Sequence, residues 1–146
     1  MNAHKTVFAS MGTMASLTVA AHVDEHAALR AAKICRASFD ADDHRFSHFK
    51  TDSDIVRWLE GQDVGREAEA EITHILNACR LLEVSSNGVF RATNPQTGRL
   101  DTAGYVKGYS IRKAVGRIRE AGVHDFTINL GGDSYSSGRP SHDRPW

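Results

Sequence analysis

Short β-branched runs near the two ends of the chain bracket a middle in which apolar residues recur at helical spacing, and this arrangement limits the fold more than any other feature. Thr6 to Ser10 and Met14 to Ala21 carry such runs with Gly12 between them, and Val7, Leu17 and Val19 would share one side of a pleat, which predicts a hairpin. Phe126-Thr127-Ile128-Asn129-Leu130 reads as a third strand that runs into Gly131-Gly132-Asp133, with a further strand opening at Ser134-Tyr135-Ser136. Between these ends, Asp24 offers an N-cap for a helix to about Ala41, with Ala27, Leu29, Ala31, Ala32, Ile34, Cys35 and Phe39 as its apolar stripe. Phe46 to Lys50 breaks that pattern. Asp52 or Ser53 then caps a short helix holding Ile55, Val56, Trp58 and Leu59, and Gly61 ends it. A longer helix is expected from about Glu67 to Val84, burying Ile72, Ile75, Leu76, Cys79 and Leu82. Turn chemistry follows at Ser85 to Gly88 and at Asn94 to Gly98. A last long helix spans about Gly104 to Ala121, with Val106, Ile111, Val115 and Ile118 spaced for burial and Gly122 closing it. Strands and helices alternate without the strict βαβ rhythm of a doubly wound sheet, so the expected class is α+β, a mixed or antiparallel sheet with packed helices. No repeat, linker or low-complexity segment divides the chain, and one domain over residues 1–146 is expected.

The chain has 146 residues, enough to bury a real core, and is 40% hydrophobic and 25% charged with a mean hydropathy of −0.40. Eighteen basic residues balance eighteen acidic ones, so the broad positive field that non-specific nucleic-acid binding requires is missing. No apolar run approaches the roughly 20 residues that span a bilayer. Met1-Asn2-Ala3-His4-Lys5 does not lead into an apolar signal segment, which makes the cytoplasm the expected compartment. Cys35 and Cys79 both fall in helical patterns without a CxxC, and fit buried small hydrophobes better than a disulfide or a metal pair.

Two segments could carry chemistry. Gly104 and Gly108 flank a helix start at which backbone N–H groups could approach a phosphate, with Lys107 adding a full charge; glycines there are as often plain packing. The spacing is neither GxGxxG nor GxxxxGK followed by Ser or Thr. Gly131-Gly132-Asp133 could present bare backbone and one carboxylate to a ligand, though a tight hairpin turn accounts for it better. His22 with His26 and His44 with His48 have i, i+4 spacing but no third ligand or HExxH context, so solvated histidines are the better reading. Asp40, Asp42 and Asp43 at a helix end read as a solvated corner.

The order of these segments resembles that of the FAD:protein FMN transferase (ApbE-like flavin transferase) family. Met11-Gly12-Thr13 is similar to its opening MGT signature, and Arg45 to Ile55 to its F-S-aromatic-x-x-x-S-acidic-I stretch. Ser86-Asn87-Gly88-Val89-Phe90 resembles SGGxFD, Asp101 to Tyr109 resembles D-x-x-G-x-x-K-G-aromatic, and Ile128 to Asp133 with Pro145-Trp146 resembles the N-x-GGD and pW that follow. The resemblance implies an ApbE-like, T-fold-related architecture and a reaction in which FMN moves from FAD to a Ser or Thr hydroxyl of a target protein with Mg²⁺, releasing AMP. It implies that Met11, Phe49, Val89, Phe90, Arg91, Asp101 and Lys107 line the FAD site and that Gly104 offers its carbonyl to Mg²⁺. FAD and an acceptor protein are the partners so implied.

Two positions depart from the family pattern: Arg91 stands where Asp is usual, and Asn87 replaces a glycine. The family also continues past the pW into further strands, a histidine assigned to base work and a Thr-Ser-Gly segment. Against that pattern the chain is expected to be C-terminally truncated and to lack those strands. The alternative to a transferase is a catalytically incomplete FAD- or nucleotide-binding module, or a non-functional fragment.

Overall fold

The structure, a computed structural model, describes residues 2–141 and 144–146; Met1, His142 and Asp143 lie outside the described residues. In chain order the elements are β1 (His4–Ser10), β2 (Thr13–Val19), α1 (Glu25–Phe46), α2 (Asp54–Leu59), α3 (Arg66–Ser85), α4 (Ala103–Glu120), β3 (Phe126–Leu130) and β4 (Asp133–Ser137). They fall into two compact units, one made of Met1–Ala41 with Tyr109–Trp146 and the other of Asp42–Gly108. The helices α1 and α4 each contribute residues to both.

The first unit holds a four-stranded antiparallel sheet in the order β1-β2-β3-β4. Both hairpins are closed by two residues in the left-handed region, Met11 (φ 52°) with Gly12 (φ 69°) and Gly131 (φ 59°) with Gly132 (φ 100°). Paired positive φ values twist a two-residue loop in the same sense as its strands, which is why such loops close tight hairpins. The Gly131-Gly132-Asp133 segment is therefore the hairpin turn that its composition favoured. β3 is the central apolar strand: Phe126, Ile128 and Leu130 are fully buried, each worth about 1.5–3 kcal/mol of burial. They pack with Phe8, Leu17 and Val19 of the hairpin and with a helical layer from Ala28, Ala31, Cys35 and Phe39 of α1 and Ile111, Ala114, Val115 and Ile118 of α4. Small alanines let α1 lie close, and the Phe8 and Phe39 rings meet at 6.1 Å between centroids.

Three expectations are corrected in this unit. Val7 does not share a face with Leu17: the register sets Thr6 opposite Leu17 and Phe8 opposite Ala15, so Phe8 faces the core and Val7 is 54% exposed. Leu29 is 51% exposed, since the buried stripe of α1 runs through 28, 31, 32, 35 and 39, and position 29 lies a full step of rotation outside it. Asp24 caps α1 as expected, its carboxylate accepting from the Ala27 N–H at 3.0 Å, but the helix continues past Ala41 to Phe46.

In the second unit that extension has a reason: Asp42 and Phe46 are buried and carry the 35, 39 stripe onward at i+4 and i+3 spacing. Asp42 is thus part of a buried helix face rather than of a solvated corner, while Asp43 pairs with Lys50. Arg45 gathers three carboxylates, bonding Asp54 at 3.3 Å, Glu67 at 3.4 Å and Glu71 at closer range. Partial burial lowers its pKa, but the hydrogen bond and charge of Glu71, with further bonds to Glu67 and Asp54, outweigh that and hold the guanidinium well above its ordinary value. Ser53 supplies the N-cap of α2 through its hydroxyl on the Val56 N–H, and Gly61 (φ 78°) follows its end. α3 buries Ala68, Ile72, Ile75 and Cys79, whereas Leu82 is 38% exposed. Asn87 (φ 52°) and Gly88 (φ 77°) turn the chain after α3; asparagine is among the few residues that tolerate this conformation, which accounts for its presence in place of glycine. Both cysteines are buried and unpaired by disulfide, and desolvation raises both thiols, Cys35 to about 12.

Candidate functional site

The start of α4 is the most elaborated backbone feature of the second unit. A helix leaves its first N–H groups without intrahelical partners, so their fate must be traced one by one. The Thr102 N–H donates to His48 Nε2 at 3.3 Å, and the Thr102 Oγ1 lies 3.0 Å from the same nitrogen. The Ala103 N–H donates to Asp101 Oδ1 at 3.0 Å, and the Tyr105 and Val106 N–H groups donate to the Thr102 carbonyl. Among the described bonds none takes the Gly104 N–H. That group lies on an exposed residue at the positive end of an 18-residue helix, a position that favours an anion. A Cβ on Gly104 would sit 3.2 Å from Phe90 Cε2, so an edge of that ring lies beside this glycine. Lys107 follows one turn later, half-buried and without an ion-pair partner among the described residues.

Beside this start lies a cleft of about 700 Å³, lined by His48, Phe49, Val56, Leu59, Arg99 and Asp101 among others. Phe49 is 94% exposed and Val89 is 89% exposed, a large apolar surface for two residues that are not packed. Arg91 is folded back, its Nε donating to the Gly88 carbonyl at 3.0 Å. The loop that forms one wall is closed by the Thr93–Leu100 bridge and by Asn94, whose Oδ1 accepts from the Gln96 and Thr97 N–H groups. The Asp101 N–H donates to the Ala92 carbonyl at 2.7 Å, which anchors the last residue before α4. Burial pushes the His48 pKa below its ordinary value; the Asp101 charge opposes this and the Arg99 charge adds to it.

Sequence reasoning placed Phe49, Val89, Phe90, Arg91, Asp101, Gly104 and Lys107 in one site, and all seven fall in the second unit. Phe90 meets Gly104, and Phe49 and Asp101 line the same cleft. Met11 belongs to the first unit, where its turn and the Gly131-Gly132 turn sit at the same end of the sheet, joined by the Gly131 N–H on the Met14 carbonyl at 3.1 Å. Asp133 follows there, exposed, with the Gly132 N–H directed at Asn129 Oδ1. Two contributors went unread: Thr102, whose place before the helix is an N-cap signal, and His48, whose partner lies 54 residues away. Of the paired histidines, His22, His26 and His44 are exposed as expected, and His48 is the exception.

A helical N–H left open among the described bonds, a lysine one turn on and exposed apolar side chains are features that suit an anion and an apolar ring surface. Mg²⁺ is a different case. The Gly104 carbonyl lies inside α4, where it serves the following turn, and the Asp101 carboxylate already holds the Ala103 N–H. Among the described residues no group of three or more His, Cys, Asp or Glu could hold a metal ion, so these residues do not by themselves supply the oxygen ligands that Mg²⁺ demands. No helix among the described residues is long and apolar enough to cross a membrane.

Residues 91–146 match the model of the ApbE family. The fold is similar to the flavin transferase ApbE from Vibrio cholerae, as a point mutant (TM-score 0.75, 10% identity, 94% of this chain and 63% of that one) and in a second structure (TM-score 0.71, 11% identity, 93% and 60%). It is also similar to the apo form of the Pseudomonas stutzeri flavinyl transferase ApbE (TM-score 0.76, 16% identity, 99% and 64%). The chain thus spans about three fifths of the length of these structures. No curated protein matches the sequence.

Proposed function

From a chain whose residues 91–146 match the ApbE family model and whose fold is similar to that of the ApbE flavin transferases, we propose the donor-binding role of a flavin transferase. In this reading FAD is the substrate, a protein Ser or Thr is the acceptor, Mg²⁺ assists and AMP leaves. The observation that carries it is the start of α4: among the described bonds the Gly104 N–H is the one left unclaimed, with the Phe90 ring edge beside this glycine and Lys107 a turn away, all within or beside the segment the family model matches.

The division of labour follows from this geometry. The Gly104 N–H and the Lys107 ammonium bind the pyrophosphate. Phe49, Val89 and Phe90 cover apolar ring surface and exclude water from it. Asp101 orients the helix start and offers its second oxygen to a donor on the nucleotide. Arg91, at a position where the family pattern is acidic, adds positive charge to a surface that meets a polyanion. In the reaction the acceptor oxygen bonds the FMN phosphorus as the bond from that phosphorus to the AMP oxygen breaks, and the hydroxyl proton is released. Mg²⁺, when bound, neutralises charge on the phosphates; it requires ligands beyond those described above.

The test is incubation of the purified chain with FAD, Mg²⁺ and a candidate acceptor domain, read by mass spectrometry for an added FMN and by quenching of FAD fluorescence. Transfer supports the full reading. Quenching without transfer leaves a donor-binding module, and Lys107→Ala should then weaken binding about tenfold, the worth of one charge-assisted hydrogen bond. Absence of both signals overturns the proposal.

A further inference from the structure

We propose that His48 is a positioning residue for the nucleotide site: as the Nδ1–H tautomer it occupies both donors of Thr102, and by doing so keeps the Gly104 N–H open for an anion. A backbone N–H can only donate, so the 3.3 Å bond from the Thr102 N–H fixes His48 Nε2 as an acceptor, and a neutral ring then carries its proton on Nδ1. The Thr102 hydroxyl, 3.0 Å from the same nitrogen, is a second donor to it. Thr102 is fully buried, so neither group has water as an alternative.

A threonine at this position ordinarily turns its hydroxyl inward and accepts from an N–H of the first turn. Here the imidazole holds the hydroxyl away from the helix, and Asp101 takes over the capping at Ala103. Without the ring, the Thr102 oxygen is free to rotate onto the Gly104 or Tyr105 N–H and compete with a phosphate for that donor. The charged groups facing the ring are Asp101 and Arg99; arginine cannot accept, and Asp101 Oδ1 is engaged by the Ala103 N–H.

This inference rests on the nucleotide-binding reading, and the experiment separates the two. FAD binding by the full chain is measured by fluorescence quenching for the wild type, His48→Leu, His48→Gln and the double variant His48→Leu/Thr102→Val. His48→Leu should bind FAD about tenfold more weakly, as one hydrogen bond to phosphate is lost to competition. His48→Gln, whose side-chain oxygen can accept from Thr102, should stay near wild type. The double variant, with no hydroxyl left to compete, should recover most of the loss, which a merely structural defect would not do. Unchanged binding in His48→Leu, or no recovery in the double variant, overturns the proposal. If the wild type binds no FAD, the nucleotide reading falls, and the ring 15N shifts of His48 decide the rest: protonation at Nε2 overturns the arrangement, while Nδ1–H together with faster Thr102 amide exchange in His48→Leu upholds it.

Discussion

Gly138 offers the sharpest test of how β4 is held at its end. It sits at φ 63°, and a Cβ there would overlap an Asp125 carboxylate oxygen, lie 2.8 Å from Asp125 Cγ and reach 2.9 Å from the His124 carbonyl oxygen. The carbonyl is backbone and cannot swing away. Asp125 is also committed: Oδ1 accepts from the Arg139 N–H at 2.8 Å, Oδ2 faces His22 Nε2 at 3.2 Å, and its carbonyl accepts from the Ala20 N–H at 2.9 Å. Gly138→Ala therefore adds about 1–2 kcal/mol of left-handed strain to about 1–3 kcal/mol of overpacking. The total of about 2–5 kcal/mol corresponds to a Tm lower by roughly 5–15 °C for a chain of this size. Gly122→Ala is the internal control, since Gly122 has φ 85° but nothing within 4 Å of the added Cβ; it carries the strain alone. Thermal and urea unfolding of the two variants, followed by circular dichroism, measure the difference. Equal Tm values would refute the packing argument and leave only the backbone conformation.

Further outcomes follow from the same contacts. Arg45→Met removes the guanidinium that faces the half-buried Asp54 and Glu71 carboxylates, and unfolding in urea should show a loss of about 2–4 kcal/mol, whereas Glu67→Gln, at an 87% exposed partner, should change little. Stability should fall with pH in two steps. His48 has its folded pKa depressed by burial, so its contribution is complete above the unfolded value near 6.5 and is lost as pH drops through the lower folded value. Asp125 is held low chiefly by the Arg139 N–H, so its contribution is lost only below the ordinary carboxylate value of 3.8; His48→Gln should erase the upper step alone. Cys35 and Cys79 should resist thiol labelling at pH 8 in the native protein and label together on unfolding, as mass spectrometry would show, because burial disfavours both thiolates.

What the sequence disclosed and what it withheld divide along a physical line. Strand and helix placement was legible because each element repeats its own period. Phe126 to Leu130 matched β3 residue for residue, and Val106, Ile111, Val115 and Ile118 are all buried on α4. The paired positive φ values at Met11-Gly12 and Gly131-Gly132 were legible as turn composition. Register was not, because one residue of slip between β1 and β2 decides whether Val7 or Phe8 meets the core, and either fits the pattern. The helix α1 hid its last turn because Asp42 is a polar residue on a buried face, where a reading by hydrophobicity stops. The site follows the same rule. Gly104, Phe90 and Lys107 stood out as glycine, aromatic and cation in a motif, each visible from local chemistry. The His48–Thr102 contact joins two residues that are ordinary in their own surroundings and significant only once the chain between them has folded. A helix start becomes a selective anion site when its other N–H groups are satisfied by the protein and one is left over, and the residues that satisfy them come from anywhere in the sequence. At α4 the Ala103 N–H is taken by Asp101 and the Thr102 N–H by His48, 54 residues away, so which donor stays open at this helix start is decided by residues that no local reading of the motif includes.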